Sequence, residues 1–316
     1  MRIVFMGTPD IASGVLQYIL EQKHQVVGVV TVPDKPSGRG QKVNSSAVKK
    51  MAELHQIPCL QPEKLKDEEF INELSAFNAD VFVVVAFRML PKVVWSLPPK
   101  GTFNLHASLL PQYRGAAPIN HALINGETKT GVTTFFINED IDTGDIIDFA
   151  EVDIAADDDA GVLHDKLMNV GAKLVHDTLL MIEQEKVLRR KQMLPLDGVL
   201  KMAPKIYKDF CRIDFSKNGE QIRNFVRGLS PYPSAYCELK NNLGELLYLK
   251  IFKITLDYSD SELPVGSVFS DSSKVLKIRC VDSWVCVQDL QMLGKKRMPI
   301  ADFLRGFRNI TEFRRV

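Results

Sequence analysis

Asn104 and His106 stand two residues apart in GTFNLHA, and Asp142 follows in the stretch IDTGDI. On an extended strand that spacing sends both side chains out of the same face. A neutral amide donor, an imidazole and a carboxylate together suit acyl transfer to an amine. Fixed donors can hold the oxygen that becomes anionic, and an imidazole or carboxylate can accept the proton that the amine releases. Spacing alone leaves a second reading open. Asn104 and His106 also fit a polar pair satisfied locally at a sheet edge, and Asp before Thr-Gly fits an ordinary turn.

The surrounding pattern determines where these groups would sit. RIVFMG reads as a short buried strand, Ile11 to Glu21 as a helix, VVGVVTV (26–32) as a β-branched strand and residues 45–56 as helical. DVFVVVAF (80–87) is almost continuously apolar, as a central parallel strand covered on both faces must be. GTFNLHA is the next strand, Pro118–Ile124 a helix, and 131–138 and 146–154 two further strands. An amphipathic helix follows over roughly 160–185. Strands interleaved with helices imply a doubly wound, Rossmann-like α/β sheet, with some antiparallel pairing near its end. In such sheets ligands bind at the carboxyl ends of strands, which is where His106 falls.

The rhythm is lost over KVLRRKQMLPLDGVLKMAP, which reads as an inter-domain linker. Beyond it one helix near 218–228 precedes five or six short β-type runs, and a short helix is expected near 300–306. That pattern predicts a small all-β barrel of the oligonucleotide-binding type. The expected domains are therefore 1–185, a linker over 186–203, and 204–316.

The chain has 316 residues, ample for two cores, with 45% hydrophobic and 25% charged residues and a net charge of +1. That balance hides an asymmetry: residues 201–316 hold 20 Lys and Arg against 13 Asp and Glu. A basic second half joined to an acidic first half points to a polyanionic partner. No apolar run reaches the roughly 18 residues of a membrane span. The start MRIVFMGTPDIASG breaks at Gly7, Pro9 and Asp10, so a cytoplasmic protein without a secretory leader is expected. Five scattered cysteines without a CxxC read as reduced thiols.

Several familiar motifs are missing. MGTPD lacks the G-x-G-x-x-G of a dinucleotide fold, and there is no phosphate-binding loop. The six His residues have no Cys or Glu at ligand spacing, so no metal is expected. In Asp140-x-Asp142-x-Gly144 a glycine stands where a calcium loop needs its third oxygen ligand.

NLHASLLPQYRGAAPIN together with IDTGDI resembles the signature of the 10-formyltetrahydrofolate-dependent formyltransferases, whose members share an Asn, a His and a distant Asp. RIVFMGTPD, TVPDKPSGRGQKV, YRGAAPIN, APKIYKDFCRIDF and LGKKRM are similar, in order and along essentially the whole length, to the members that act on initiator tRNA. Members that formylate a purine precursor share the three polar residues but lack the Gly-Arg-Gly loop and the second domain. One segment departs from the family pattern: AFRMLP has Arg88 where a glycine is usual and is one residue short. It borders the pterin pocket in the family.

The resemblance implies a formyl donor, 10-formyltetrahydrofolate, and an acceptor, methionyl initiator tRNA, handled by a monomer without metal. It implies catalytic roles for Asn104, His106 and Asp142, with the first two donating to the formyl oxygen and Asp142 favouring the imidazolium or taking the amine proton. Ser108, Leu109, Leu110 and Pro111 would form the folate loop, Ser108 by positioning its backbone. Lys35, Arg39 and Lys42 on loop 33–43 would meet the acceptor stem, Arg39 reading its unpaired end. Lys295, Lys296 and Arg297 would contact phosphates, with Lys205, Lys208, Arg305 and Arg308 as weaker candidates. Two alternatives are a formyltransferase for a small amine (a purine precursor or nucleotide-linked amino sugar) and a noncatalytic RNA-binding protein.

Overall fold

The computed structural model describes residues 1–37, 42–194, 198–307 and 310–315. They form two compact units, one built from 1–118, 129–153 and 164–202, the other from 119–128, 154–163 and 203–316. Two short stretches that the sequence pattern groups with the first domain thus cluster with the second. Residues 186–202, which lack periodicity, cluster with the first.

The elements of the first half begin with β1 (Arg2–Gly7), α1 (Asp10–Glu21), β2 (Gln25–Val30) and the short hairpin strands β3 (Lys35–Ser37) and β4 (Lys42–Asn44). Next come α2 (Ala47–Leu54), β5 (Cys59–Leu60), α3 (Glu68–Ala76), β6 (Val81–Val85), α4 (Lys92–Trp95) and β7 (Thr102–His106). β8 (Arg114–Gly115), α5 (Pro118–Ile124), β9 (Lys129–Phe136), β10 (Ile146–Asp153) and α6 (Ala160–Glu183) complete it.

Among the described residues, seven of these strands make one sheet in the order β10-β9-β7-β6-β1-β2-β5. β5, β2, β1, β6 and β7 are parallel, whereas β9 runs antiparallel to both β7 and β10. The antiparallel pairing expected at the end of the sheet is present. All five residues of β6, VFVVV, are buried, as a strand covered on both faces requires. Burying each such side chain contributes about 1.5–3 kcal/mol. Hydrophobics at one helical stripe of α1 (Ile11, Ala12, Val15, Leu16, Ile19) are buried as well.

The sidedness of β7 matters most. A Cβ on Gly171 of α6 would lie 2.8 Å from Leu105 Cδ2, so α6 lies against the Leu105 face. Asn104 and His106 therefore point out of the opposite face. In register with them on β9 are Phe135, beside Asn104, and Thr133, beside His106.

The second unit is mostly β-structure, entered through β11 (Met202–Ala203) and α7 (Gly219–Leu229). Its main strands are β12 (Ala235–Asn241), β13 (Leu246–Asp257), β14 (Val268–Ser270), β15 (Leu276–Arg279) and β16 (Trp284–Met292). β17 (Met298–Pro299), α8 (Ile300–Gly306) and β18 (Phe313–Arg315) close it. The antiparallel order is β14-β15-β16-β13-β12-β18, with β17 beside β16. The end strands β14 and β18 approach within 8 Å between Cα atoms, so the sheet curls nearly into a barrel. Its inward residues, among them Cys237, Leu239, Leu249, Ile251 and Val287, form one core with Ile222 and Val226 of α7. Asn218 caps α7 through a reciprocal pair of hydrogen bonds with Gln221.

Candidate active site

β7 delivers Asn104 and His106 to one face, and His106 is its last residue, at the carboxyl edge of the parallel strands. His106 is only 6% exposed. Its Nε2 lies 2.8 Å from the Tyr113 carbonyl oxygen. A carbonyl can only accept, so Nε2 carries a hydrogen and donates. The other nitrogen, Nδ1, faces the Asp142 carboxylate, with Oδ2 3.8 Å away. That is too long for a hydrogen bond and short enough for strong charge attraction once the ring is protonated.

Asp142 reaches this place by an unusual route. In the register of β7 with β9, Phe136 lies opposite Phe103, so β9 ends beside the start of β7. The connection 137–145 must then double back over the Asn104 and His106 face to bring Asp142 to the far end. Its path is tight. A Cβ on Gly144 would fall 1.6 Å from the Phe136 carbonyl oxygen, so only glycine fits there. Asp142 itself has φ +54°, a left-handed conformation that Asp tolerates better than most residues. The side chain of Asn138 accepts from the Asp140 backbone N–H and the Thr143 hydroxyl, bracing the start of the turn.

Asp142 Oδ2 also accepts the backbone N–H of Gly115 at 2.9 Å. The carboxylate thus lies between the imidazole and the turn of YRG. The backbone carbonyls of Asp142 and Gly144 each accept from Gln192 Nε2 at 2.9 Å. Gln192 Oε1 in turn receives Arg114 Nε at 3.1 Å and Nη2 at 2.6 Å.

The segment 108–115 is fixed from two sides. Ser108 is fully buried, its hydroxyl donating to the Gln112 carbonyl at 2.6 Å. The Thr133 hydroxyl donates to the Ser108 carbonyl and accepts the Leu110 N–H, and Leu110 is joined to Pro111 by a cis peptide bond. Leu109 packs at Gly131 of β9. From the other side the chain after 190 docks on this segment. Tyr113 N–H donates to the Lys201 carbonyl at 2.6 Å, and the Gln112 amide both donates to the Val199 carbonyl and accepts the Lys201 N–H. Tyr113 has φ +60°, which turns its carbonyl toward His106.

Arg88 braces a neighbouring loop. Its guanidinium donates to the carbonyls of Pro62 and Glu63, and burial pushes it below its ordinary value.

The cationic residues are more dispersed. Arg39 lies outside the described residues, as does Arg308; of Lys35 and Lys42 the backbone forms the paired strands β3 and β4. The base of that hairpin is pinned: Asp34 accepts from Lys49 Nζ at 2.5 Å and from Gln61 Nε2 at 2.8 Å. Lys295 and Lys296 are exposed after Gly294. Arg297 is engaged differently, donating through Nε and Nη2 to Asp289 Oδ2, each at 2.6 Å, with its guanidinium 4.4 Å from the Phe252 ring centre. Lys205 and Lys208 lie over the rings of Tyr207 and Tyr248, and Arg305 pairs with Asp302 on its own helix.

The sequence pattern does not point to the Tyr113 carbonyl, the Gly115 N–H, Thr133 or Gln192. Only YRG carries a local signal, as a turn. No three His, Cys, Asp or Glu side chains converge on a metal position among the described residues, and none of those helices is long and apolar enough to cross a membrane.

Residues 1–179 match the formyl transferase family model, and residues 205–308 match that of the formyl transferase C-terminal domain. The chain is 51% identical over 310 residues to a methionyl-tRNA formyltransferase of Bacteroides thetaiotaomicron, covering 98% of this chain and 96% of that protein. It is also 51% identical over 306 residues to one of Flavobacterium johnsoniae, covering 97% and 96%. In fold it is similar to a crystal structure of an N-formyltransferase from Helicobacter canadensis in complex with folinic acid and dTDP-3-aminofucose. There the TM-score is 0.60 at 21% identity, over 94% of this chain and 99% of that one.

Proposed function

The chain belongs to the formyl transferase family, and from that premise we propose that it moves a formyl group from 10-formyltetrahydrofolate to the α-amino group of methionyl initiator tRNA. The product is N-formylmethionyl-tRNA for translation initiation. The observation that carries this acceptor is the identity of about half, sustained over nearly the full length, with proteins named for it.

The geometry supports a specific division of labour. As the amine bonds to the formyl carbon, the formyl oxygen gains negative charge while the bond to the donor nitrogen breaks. Asn104 presents a neutral amide to that oxygen. His106 can donate to it only through Nδ1, since Nε2 is held by the Tyr113 carbonyl, so donation requires the imidazolium. Asp142 faces that nitrogen at 3.8 Å with the opposite charge. The neutral ring instead leaves Nδ1 as an acceptor. Asp142 or this neutral ring takes the proton lost by the amine, and a proton returns to the departing donor nitrogen, so the balance is zero. Ser108–Pro111 contribute backbone and apolar contour to the folate pocket; Ser108 is too buried to touch a ligand through its side chain.

For the tRNA, Lys295 and Lys296 serve as phosphate contacts, and Arg39, with Lys35 and Lys42, reads the acceptor end. Arg297, already held by Asp289, shapes that surface more than it binds phosphate.

The test is incubation with 10-formyltetrahydrofolate and methionyl initiator tRNA, followed by detection of formylmethionine, with an amino-sugar nucleotide as a parallel acceptor. Formylation of the tRNA alone is expected. Formylation of the sugar nucleotide alone, or of neither, overturns the reading.

A further inference from the structure

The geometry points to Gln192 as a positioning residue for the reaction: one side-chain amide locks the turn that carries Asp142 to the turn that carries Gly115. This rests on the reading of Asp142 as catalytic. The hydrogen bonds form a closed ring. Arg114 donates twice to Gln192 Oε1, Gln192 Nε2 donates to the Asp142 and Gly144 carbonyls, and Asp142 Oδ2 accepts from Gly115, the neighbour of Arg114. The ring joins three segments separated by 27, 50 and 78 positions in the chain.

The chemistry selects the residue. The site needs two donors on one side and an acceptor for a guanidinium on the other, and a primary amide supplies both. Glutamate lacks the donors, lysine lacks the acceptor, and asparagine is one methylene short. The amide orientation follows as well, because carbonyls cannot face Oε1 and a guanidinium cannot face Nε2. The need is also visible. Asp142 holds a left-handed backbone in a connection that doubles back across the sheet, and such a conformation persists only when its surroundings enforce it. Without Gln192 the carbonyls of Asp142 and Gly144 lose these bonds, and the carboxylate's distance to His106 is no longer fixed. Gln192 touches no reacting atom; it acts through Asp142.

The test is a double-mutant cycle. Gln192→Met keeps the length and removes every hydrogen bond; Gln192→Glu keeps the acceptor alone and guards against a folding failure of the first. Each should lower kcat by roughly 10- to 100-fold, with KM for both substrates within about threefold and Tm lower by only a few degrees. The pH profile of kcat should move, because the charge facing His106 has shifted. In an Asp142→Asn background the Gln192 substitutions should cost little more, since the residue they position no longer acts. Wild-type kcat and pH profile in both Gln192 variants, or a full additive loss in the double variant, overturns the assignment while leaving Asp142 catalytic. An Asp142→Asn enzyme with wild-type kcat overturns the active-site reading and this inference with it.

Discussion

The Nε2 of His106 is 2.8 Å from the Tyr113 carbonyl oxygen, while its Nδ1 looks toward Asp142 at 3.8 Å. The first interaction makes Nε2 a donor to the backbone and leaves Nδ1 to face the carboxylate. One ring nitrogen is thereby committed to the fold and the other to the candidate site.

That separation can be tested by substitution at His106. Gln can reach the Tyr113 carbonyl with its amide but places nothing at Nδ1. His106→Gln should retain more stability than His106→Ala in thermal melts, yet both should lose roughly 10²–10³ or more in kcat. A glutamine variant with near-native kcat would show that Nδ1 is not the working atom. Asn104→Ala and Asp142→Ala should lose comparable activity while methionyl-tRNA binding stays near normal.

The basic turn after β16 divides into two kinds of residue. Lys295→Ala with Lys296→Ala should weaken tRNA binding and reduce its dependence on log salt by about one unit for each phosphate no longer neutralised, with no change in Tm. Arg297→Ala should instead lower stability by about 1 kcal/mol, because Asp289 loses its partner and the Phe252 ring loses its cover. Binding titrations at several salt concentrations, with melts on the same samples, distinguish the two. A salt slope unchanged by the lysine pair would remove the turn from the tRNA surface.

Arg39→Ala should reduce preference for the initiator over elongator methionyl-tRNA, and Arg39→Lys should not restore it, since a planar fork and stacking surface are lost. Competition between the two tRNAs measures this directly. Equal preference in wild type and variant would assign discrimination to other residues.

Acid stability has a defined contributor in the second unit. The hydrogen bond from Lys277, with help from Ser259, holds the Asp257 carboxyl down at about 2. A depressed folded value means its contribution is complete above the ordinary carboxylate value near 4 and vanishes as pH falls through about 2. Asp257→Asn should therefore flatten the stability profile between those limits and leave its shape unaltered at higher pH. Urea unfolding at stepped pH reads the difference; parallel profiles throughout would contradict it.

Gly144→Ala should destabilise by about 1–3 kcal/mol, since its Cβ would overlap the Phe136 carbonyl, and should depress kcat through Asp142. A variant with native Tm and native kcat would mean that the 137–145 path has more room than its packing allows.

How much of this is legible in the chain before folding depends on the range of each interaction. Period-two spacing puts Asn104 and His106 on one face, and an unbroken VFVVV marks the sheet centre; both are local properties, and both hold in the structure. The closing helix Ile300–Gly306 is equally legible. Phe70 and Leu74 of α3 carry the same kind of signal at i, i+4, but a charged stretch around them masks it. Asp142 has no local mark beyond a turn, and only the family resemblance singles it out. Gln192, Tyr113 and Thr133 act through amides, backbone carbonyls or hydroxyls brought near by tertiary folding, and no periodicity encodes that. The loss of rhythm over 186–203 indicates irregular chain, but irregular is not idle: Gln192, Val199 and Lys201 all bind the candidate site segments.

The doubling back of residues 137–145 ties the candidate site to the ladder at one edge of the first sheet. β10 is an edge strand whose first residue, Ile146, exchanges backbone hydrogen bonds with Arg190. The β10–β9 ladder, paired from Ile146 to Asp153, is the longest of that sheet, so the far anchor of the connection holds until the sheet itself opens. Heating should therefore extinguish catalysis and far-ultraviolet ellipticity in one transition, followed in parallel on the same ramp.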